Sequence, residues 1–462
     1  MTDTPQDPSP TPARPRAAAR LLNDPVVVKL ALLGVLVLAT VLAGLPIRHQ
    51  IFERQALQDQ VEQAFSDTWG ASQLVGSPIL VVPYGDTTGW EPGTAKRFFF
   101  FTADALEVTS EIHPETRRRG LFQATVFSAR VAMTGRFTLP SADDLKALPN
   151  GQRAANLDWR NAFMVLGTRD VRGLAATDGV AWGGTKTALL TCGEVLPASH
   201  CQGVQGVLSR VPGDLVLEPG AAFPFAAEIT VRGTGSFEIA PFARDVKATL
   251  RAPWPDPSFT GSAPPQSHEV TDDGFRADWR LFQFALPMAR EGADVAPVLG
   301  APPQRFGVNL IEATSVYRMI HRAAKYVLLF VVLAFATYVL FEVLTGLSIH
   351  LVQYGLLGAS LSLFPLLLLA LGETLGYTAG YMVSALLVLV QATWYTHALS
   401  RRRLLAGIFA AVLAGLFGFL YVLLGLETYA LLVGTLALFA MLWALMALTQ
   451  RVDWSGFRRA TS

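Results

Sequence analysis

Ionisable groups inside apolar stretches are destabilising unless something there uses them. In this 462-residue chain, Glu342 stands out in Phe341-Glu342-Val343, near the end of a long apolar run. His350 and Gln353 follow in a short connection, and Glu373 sits in a later turn between apolar runs. The functional reading of a carboxylate with an imidazole and a carboxamide nearby is a small polar cluster that gates or relays something. The structural alternative is an interfacial Glu342, or one paired with His350 or with the run Arg401-Arg402-Arg403. One charge near a span end is a weak transport signal, so the alternative is favoured.

The two cysteines, Cys192 and Cys201, are close enough in sequence to close a short disulfide loop in an oxidising compartment. Two independent buried thiols are the alternative. His200 beside Cys201 invites a metal reading, but three candidate ligands without a fourth make poor zinc chemistry. No nucleophile elbow, phosphate loop, H-E-x-x-H or paired C-x-x-C motif occurs, so no catalytic, cofactor or metal residue is assigned. Nor is there a basic-aromatic stripe for nucleic acid. Gly407, Ala411 and Gly415 fall four apart on one helical ridge, the spacing that lets two helices approach closely. Pro365 is expected to kink its helix.

Apolar segments must position these residues. Hydrophobic residues make up 51% of the chain and charged ones only 16%, and residues 324–448 carry almost no charge. A hydrocarbon core about 30 Å thick needs about 20 apolar residues in a helix. Six segments qualify: Val26–Ile47, Tyr326–Leu344, Tyr354–Leu371, Tyr377–Ala398, Leu404–Leu424 and Tyr429–Leu448. The first is apolar except for Lys29 and reads as an uncleaved anchor. Arginine placement orients them. Arg14, Arg16 and Arg20, then Arg401–Arg403, then Arg451, Arg458 and Arg459 all fall on one side, whereas the opposite short turns carry Glu373 and Glu427. Both termini are therefore expected in the cytoplasm, with residues 48–323 outside. Arg318, Arg322 and Lys325 run against the rule and are expected to snorkel to lipid headgroups.

The expected organisation is a disordered tail (1–24), an anchor (25–47), an external β-rich domain (48–323), a five-helix bundle (324–450) and a short tail (451–462). Near-helical spacing of Ile51, Leu57, Val61 and Phe65 carries a helix out of the first span. Pro78–Tyr84 and Leu121–Phe137 read as strands, with Arg119-Gly120 turning before the second. Leu106, Val108 and Ile112 alternate with polar residues, as do Val246, Ala248 and Leu250. Gly233-Thr234-Gly235 and Asp272-Asp273-Gly274 read as hairpin turns. Such strands pack as antiparallel sandwiches. Helical insertions are expected near Ser141–Asn150 and Trp159–Leu166. Leu310–Tyr326 reads as an amphipathic helix, either lying on the outer leaflet before the second span or packing on the sheets.

Phe306-Gly307-Val308, Tyr317, Arg322-Ala323, Lys325-Tyr326, Phe341-Glu342, Ile349-His350, Val352-Gln353-Tyr354 and Glu373 resemble the C-terminal half of the CreD family of inner-membrane proteins. Trp69-Gly70, Gln73, Arg119-Gly120, Trp254-Pro255, Pro257–Gly261 and Asp273–Trp279 extend the resemblance through the external domain. Leu351, Pro365 and Gly372 depart from the family pattern. The resemblance implies an inner-membrane protein of a Gram-negative bacterium, tied to cell-envelope integrity and to a two-component regulon. It supplies no reaction and no catalytic residue.

The resulting expectation is an α+β membrane protein: six transmembrane helices, one N-terminal and five C-terminal, around an inserted periplasmic antiparallel β-rich domain. Its partners are the lipid bilayer and an unidentified periplasmic or envelope partner; the oligomeric state stays open. The expected function is non-enzymatic support of envelope integrity. A transporter or channel component is the first alternative, and an envelope-modifying enzyme with a hidden site the second.

Overall fold

The computed structural model describes residues 25–85, 97–120, 122–147, 157–197, 201, 206–282, 291–292, 304–310, 316–426 and 429–450. Both expected tails, His200, Glu427 and residues 311–315 lie outside them. The chain divides into two compact units, Met1–Ala56 with Thr314–Ser462, and Leu57–Ala313.

The first unit is helical. Helix α1 is Pro25–Ala43 and α2 is Leu45–Trp69, whose residues from Leu57 on belong to the second unit. The proline starting α1 has no N–H to leave unsatisfied in a first turn. Two short helices of the second unit, α3 (Ala142–Ala147) and α4 (Cys192–Val195), precede the bundle in sequence. The bundle comprises α5 (Val316–Thr345), α6 (Leu351–Ser362), α7 (Phe364–Leu375), α8 (Tyr377–Ser400), α9 (Arg403–Gly425) and α10 (Ala430–Thr449). By length and composition, five helical stretches among the described residues are able to cross a membrane: Ala31–Trp69, Met319–Thr345, Leu351–Leu375, Tyr377–Ser400 and Arg403–Gly425. Helix α10 occupies the last expected span, and its apolar part, Leu432–Ala444, is shorter.

Pro365 has no N–H to donate to the turn before it, and the span is interrupted only at Leu363, which keeps right-handed helical backbone and donates to the Ala359 carbonyl, so α6 and α7 follow one another as one 25-residue stretch. The basic run at Arg318–Lys325 does not form a separate surface helix. It is continuous with the span in the 30-residue α5, with Met319, Ile320 and Ala323 buried. Aromatic rings fill the bundle core: Phe364 lies 4.9 Å from Phe417, and Tyr338 lies 5.2 Å from Phe409 and 5.6 Å from Tyr354. Helices α7 and α8 meet backbone to backbone, since a Cβ on Gly380 would fall 2.6 Å from the Gly372 nitrogen. The expected packing ridge is elsewhere from this seam. Gly407, Ala411 and Gly415 are exposed, and a Cβ on either glycine meets nothing within 4 Å. Helix α9 packs inward instead through Phe409, Leu413, Leu416, Phe417 and Leu420, because these large side chains supply more buried contact.

The second unit is built from strands that include β3 (Arg97–Phe101), β8 (Thr185–Thr187), β13 (Ser258–Gly261), β16 (Glu291–Gly292) and β17 (Phe306–Asn309), and with the strands given below they form three sheets, ordered β1-β11-β17-β13, β14-β15-β12-β4-β5-β10-β7-β8 and β16-β3-β2-β6-β9. Its long central strands are β4 (Ala103–Arg119), β5 (Phe122–Thr138), β10 (Ala222–Thr234), β12 (Ala243–Ala252) and β15 (Gly274–Phe282). Strict alternation buries Leu106, Val108 and Ile112 on β4 and Val246, Ala248 and Leu250 on β12 in one core. Most ladders are antiparallel. Two are parallel, β1 (Gln73–Gly76) with β11 (Ser236–Ala240), and β12 with β4. In the latter, β5 already occupies one edge of β4, so the much later β12 joins the free edge after a crossover.

Two local expectations fail for reasons of pairing. Gly233-Thr234-Gly235 does not close a hairpin. Both edges of β10 are taken by β5 and by β7 (Leu174–Trp182), and the chain turns at Gly235, φ +76°, into a different sheet. The segment Trp159–Leu166 holds only a single 3-10 turn, Trp159–Asn161. The rest is β6 (Phe163–Gly167), whose apolar residues are buried between β2 (Ile79–Tyr84) and β9 (Gly206–Arg210). Asp272-Asp273-Gly274 does turn a hairpin, joining β14 (Ser267–Thr271) to β15.

Candidate functional site

Helix α1 carries a single charge, Lys29, and α5 a single one beyond Lys325, Glu342, and the structure brings the two together. Lys29 Nζ donates to Glu342 Oε1 and also to the Ile349 carbonyl at 3.3 Å. The same Oε1 accepts the Ile349 N–H at 3.1 Å, and Oε2 accepts the Tyr354 hydroxyl at 3.1 Å. Glu342 is 9% exposed and Tyr354 fully buried. Helix α5 ends just past this point, where Gly346 takes φ +66° and donates its N–H to the Glu342 carbonyl. The chain then returns to α6 with its Ile349 amide aimed at the carboxylate.

The structural alternative for Glu342 is thereby corrected. Its partner is neither His350 nor an arginine of the 401–403 run but Lys29, 313 residues away in sequence. His350 and Gln353 do not join it. They form the N-terminal capping box of α6: the Val352 N–H donates to His350 Nδ1 at 3.4 Å, and the His350 N–H donates to Gln353 Oε1 at 2.9 Å. His350 is exposed. Sequence reasoning missed Lys29 and Tyr354. The available signal was that Lys29 and Glu342 are single opposite charges near the same expected side of two spans.

Glu373 belongs to the other end of the bundle, where Arg54 Nη1 approaches its Oε2 at 3.9 Å. Near it, Arg322 donates to three backbone carbonyls, Leu424 at 3.2 Å, Leu423 at 3.0 Å and Leu426 at 3.0 Å. These are carbonyls that the last turn of α9 leaves without helical partners. Arg322 thus caps a helix C-terminus instead of snorkelling, which gives a local reason for a cation on this side.

In the β unit, Cys192 and Cys201 are joined as a disulfide with Cα atoms 5.7 Å apart. Buried Glu238 on β11 faces Arg169 at 3.5 Å and Arg305 at 3.6 Å. Gln73 is fully buried and donates to the Arg232 carbonyl at 2.8 Å, tying β1 to β10. Asp170 takes both the Nε and Nη2 of Arg172 at 3.0 Å and the Ala71 N–H at 3.3 Å. The Arg172 hydrogen bond holds its carboxyl below the usual carboxylate range, against the upward pull of burial. An open groove of about 540 Å³ is lined by Glu111, His113, Arg251, Glu269, Asp273 and Arg276, among others. No group of three or more His, Cys, Asp or Glu side chains suited to a metal occurs among the described residues.

Chemically, the Glu342 carboxylate is committed: three donors occupy its two oxygens. The arrangement fastens α1 to α5 and to the start of α6. It resembles a polar staple more than an open ligand site.

Comparison with known proteins places this architecture. The family model "Inner membrane protein CreD" matches residues 25–455. The chain is 29% identical over 445 residues to the inner membrane protein CreD of Escherichia coli (strain K12), covering 95% of both proteins. Solved structures of an M1 zinc metallopeptidase from Deinococcus radiodurans align with TM-scores of 0.22 and 0.19 at 8% and 6% identity, over 39% of this chain and 38% of theirs. Likeness at that level carries no argument. The family model and the near full-length relative agree, and the chain belongs to the CreD family of inner membrane proteins.

Proposed function

We propose that this inner-membrane protein supports cell-envelope integrity without catalysing a reaction, its β unit lying in the periplasm and binding an envelope partner or surface. The observation that carries the reading is the use to which the bundle's charges are put. Lys29 is spent on Glu342, Arg54 approaches Glu373, and Arg322 is spent on helix carbonyls. Groups held this way build a scaffold. The polar surface left for recognition is on the β unit, including the groove beside Glu111 and Arg276. Arginine placement supports cytoplasmic termini, and a disulfide in the β unit suits an oxidising compartment.

The test is in-cell photocrosslinking from His113 in the groove, in the full-length protein. Reproducible capture of an envelope component, lost on charge reversal at Arg276, is the expected result. Turnover of an envelope-derived substrate by the purified chain would overturn the non-enzymatic reading. A transporter or channel component is the second reading, favoured by the burial of Glu342. Glu342→Gln, compared at matched protein level, separates them: a transporter loses function outright, whereas a scaffold loses only abundance.

A further inference from the structure

The outermost strands of a sheet offer unpaired N–H and C=O groups, and folded proteins usually blunt or cover them. The β unit treats its edges unequally. Strand β1 is almost wholly buried, and β9 is mostly buried and bridged by Leu190. Strands β8, β13 and β16 have four residues or fewer. Strand β14 differs from all of these. It closes one side of the eight-stranded sheet and pairs, among the described residues, with β15 alone. All five of its residues, Ser267-His268-Glu269-Val270-Thr271, are exposed, and Val270 leaves 43% of its surface open. The strand contains no proline, lysine or arginine, and its register with β15 runs without a bulge.

The phase of this ladder tells which main-chain groups are free. Thr271 pairs with Gly274 across the turn Asp272-Asp273. With no further pair inside the turn, these two residues must exchange their own hydrogen bonds. Counting outward, Glu269 and Ser267 also bond back to β15. The N–H and C=O of His268 and Val270 then point away from the sheet, and neither residue has a backbone hydrogen bond elsewhere among the described residues. Alternate residues with free main-chain groups are what an incoming strand pairs with.

Side chains select the occupant. Glu269 sits opposite Arg276, but Asp278 already accepts from the Nε of that guanidinium at 3.2 Å. Asp272 and Asp273 stand exposed in the adjoining turn. The edge is therefore net acidic. His268 and Val270 share the other face of the strand, and the His268 ring lies 5.4 Å from Phe259.

We propose that β14 is a strand-docking edge for an extended segment of a partner protein in which basic residues alternate with apolar ones. The main chain of His268 and Val270 holds the segment, Glu269 and the two aspartates attract its cations, and Val270 with His268 meets its apolar side chains. A second copy of this chain fits poorly. Pairing that used both His268 and Val270 of each copy would set the two Glu269 side chains opposite one another, which is destabilising. This deepens the function proposed above and rests on its reading of the β unit as a binding domain.

The test exposes the full-length protein in nanodiscs to a random heptapeptide library displayed on phage, and measures enriched peptides by fluorescence anisotropy. Enriched peptides should carry Lys or Arg at alternate positions, and their binding should slow amide exchange across residues 267–271. Val270→Pro, which an outward-facing edge position tolerates, should weaken binding about tenfold by removing one hydrogen bond and obstructing the strand's approach. Val270→Thr should retain it. Asp272→Lys/Asp273→Lys should turn the preference toward acidic peptides. Charge reversal at Arg276 is unsuitable here, because it sets like charges opposite Glu269 and loosens the edge itself. If Val270→Pro lowers the Tm, slowed exchange at 267–271 in the wild type and the charge swap decide instead. No enrichment over the Val270→Pro chain, equal affinity for both chains, or a preference for acidic peptides in the wild type would overturn the proposal. So would protection of 267–271 that rises with protein concentration in the absence of peptide, which would mean self-pairing. Failure on these counts with the His113 crosslink still formed would leave the β unit a binding domain. Loss of that crosslink with peptide binding intact would count against the captured envelope component and not against the edge.

Discussion

Lys29 is the one charge in α1 and Glu342 the one charge of α5 beyond Lys325, and each is tolerable because of the other. Removing one member of a buried pair leaves the other as an uncompensated charge. Lys29→Ala is therefore expected to destabilise the bundle by about 3 kcal/mol. This would be read as a lower Tm and a lower yield of monodisperse protein in detergent. Lys29→Ala combined with Glu342→Gln should recover a large part of that loss, since no charge is then stranded. A silent Lys29→Ala would mean that the pair contributes nothing. At the opposite end, Arg322→Ala frees the Leu423, Leu424 and Leu426 carbonyls. Hydrogen exchange at the end of α9 should rise, and Arg322→Lys should restore it only in part, because an ammonium cannot span three carbonyls as a guanidinium does.

At the scale of elements, the small-residue argument reverses between two seams. Gly380→Ala drives a Cβ against the Gly372 backbone, which cannot move as a side-chain tip would. A loss of about 1–3 kcal/mol is expected, measured as thermal stability of the purified chain. Gly407→Ala has open space and should be nearly neutral in the same assay. In the β unit, Asp170 and Asp278 are both held below their ordinary value of 3.8, chiefly by hydrogen bonds from Arg172 and Arg276. A folded carboxyl with a depressed pKa stabilises fully above the unfolded pKa and loses that contribution as pH falls through the folded one. The β unit should therefore weaken below about pH 4. Asp170→Asn should flatten that acid limb and speed exchange of the Ala71 amide at pH values where the wild type is protected. Turn chemistry was legible where the pairing was local: Asp272-Asp273-Gly274 joins neighbours in one sheet. Gly233-Thr234-Gly235 looks the same in sequence, yet it joins different sheets because β5 and β7 already fill both edges of β10.

For the whole molecule, the proposed topology predicts that Cys192 and Cys201 resist alkylation in intact, non-reduced cells and become reactive after reduction. If both cysteines alkylate without reduction in freshly quenched cells, the β unit sits in a reducing compartment and the proposed orientation fails. What the sequence determined by itself is what depends on composition and short periods. Apolar runs about 20 residues long mark spans, alternation marks the β4 and β12 faces, and Pro365 marks the irregular point where α6 meets α7. The near-continuous resemblance through residues such as Trp69, Gln73, Glu342 and Glu373 marks the family. Only the tertiary structure decided which isolated charges meet. A lysine in the first span and a glutamate in the second are each locally unfavourable, and their pairing depends on helices packing side by side, a relation no sequence window contains. The same reason hid the parallel seam of β12 on β4 and the outward face of Gly407, Ala411 and Gly415: long-range packing, not local propensity, chooses which edge and which ridge is used.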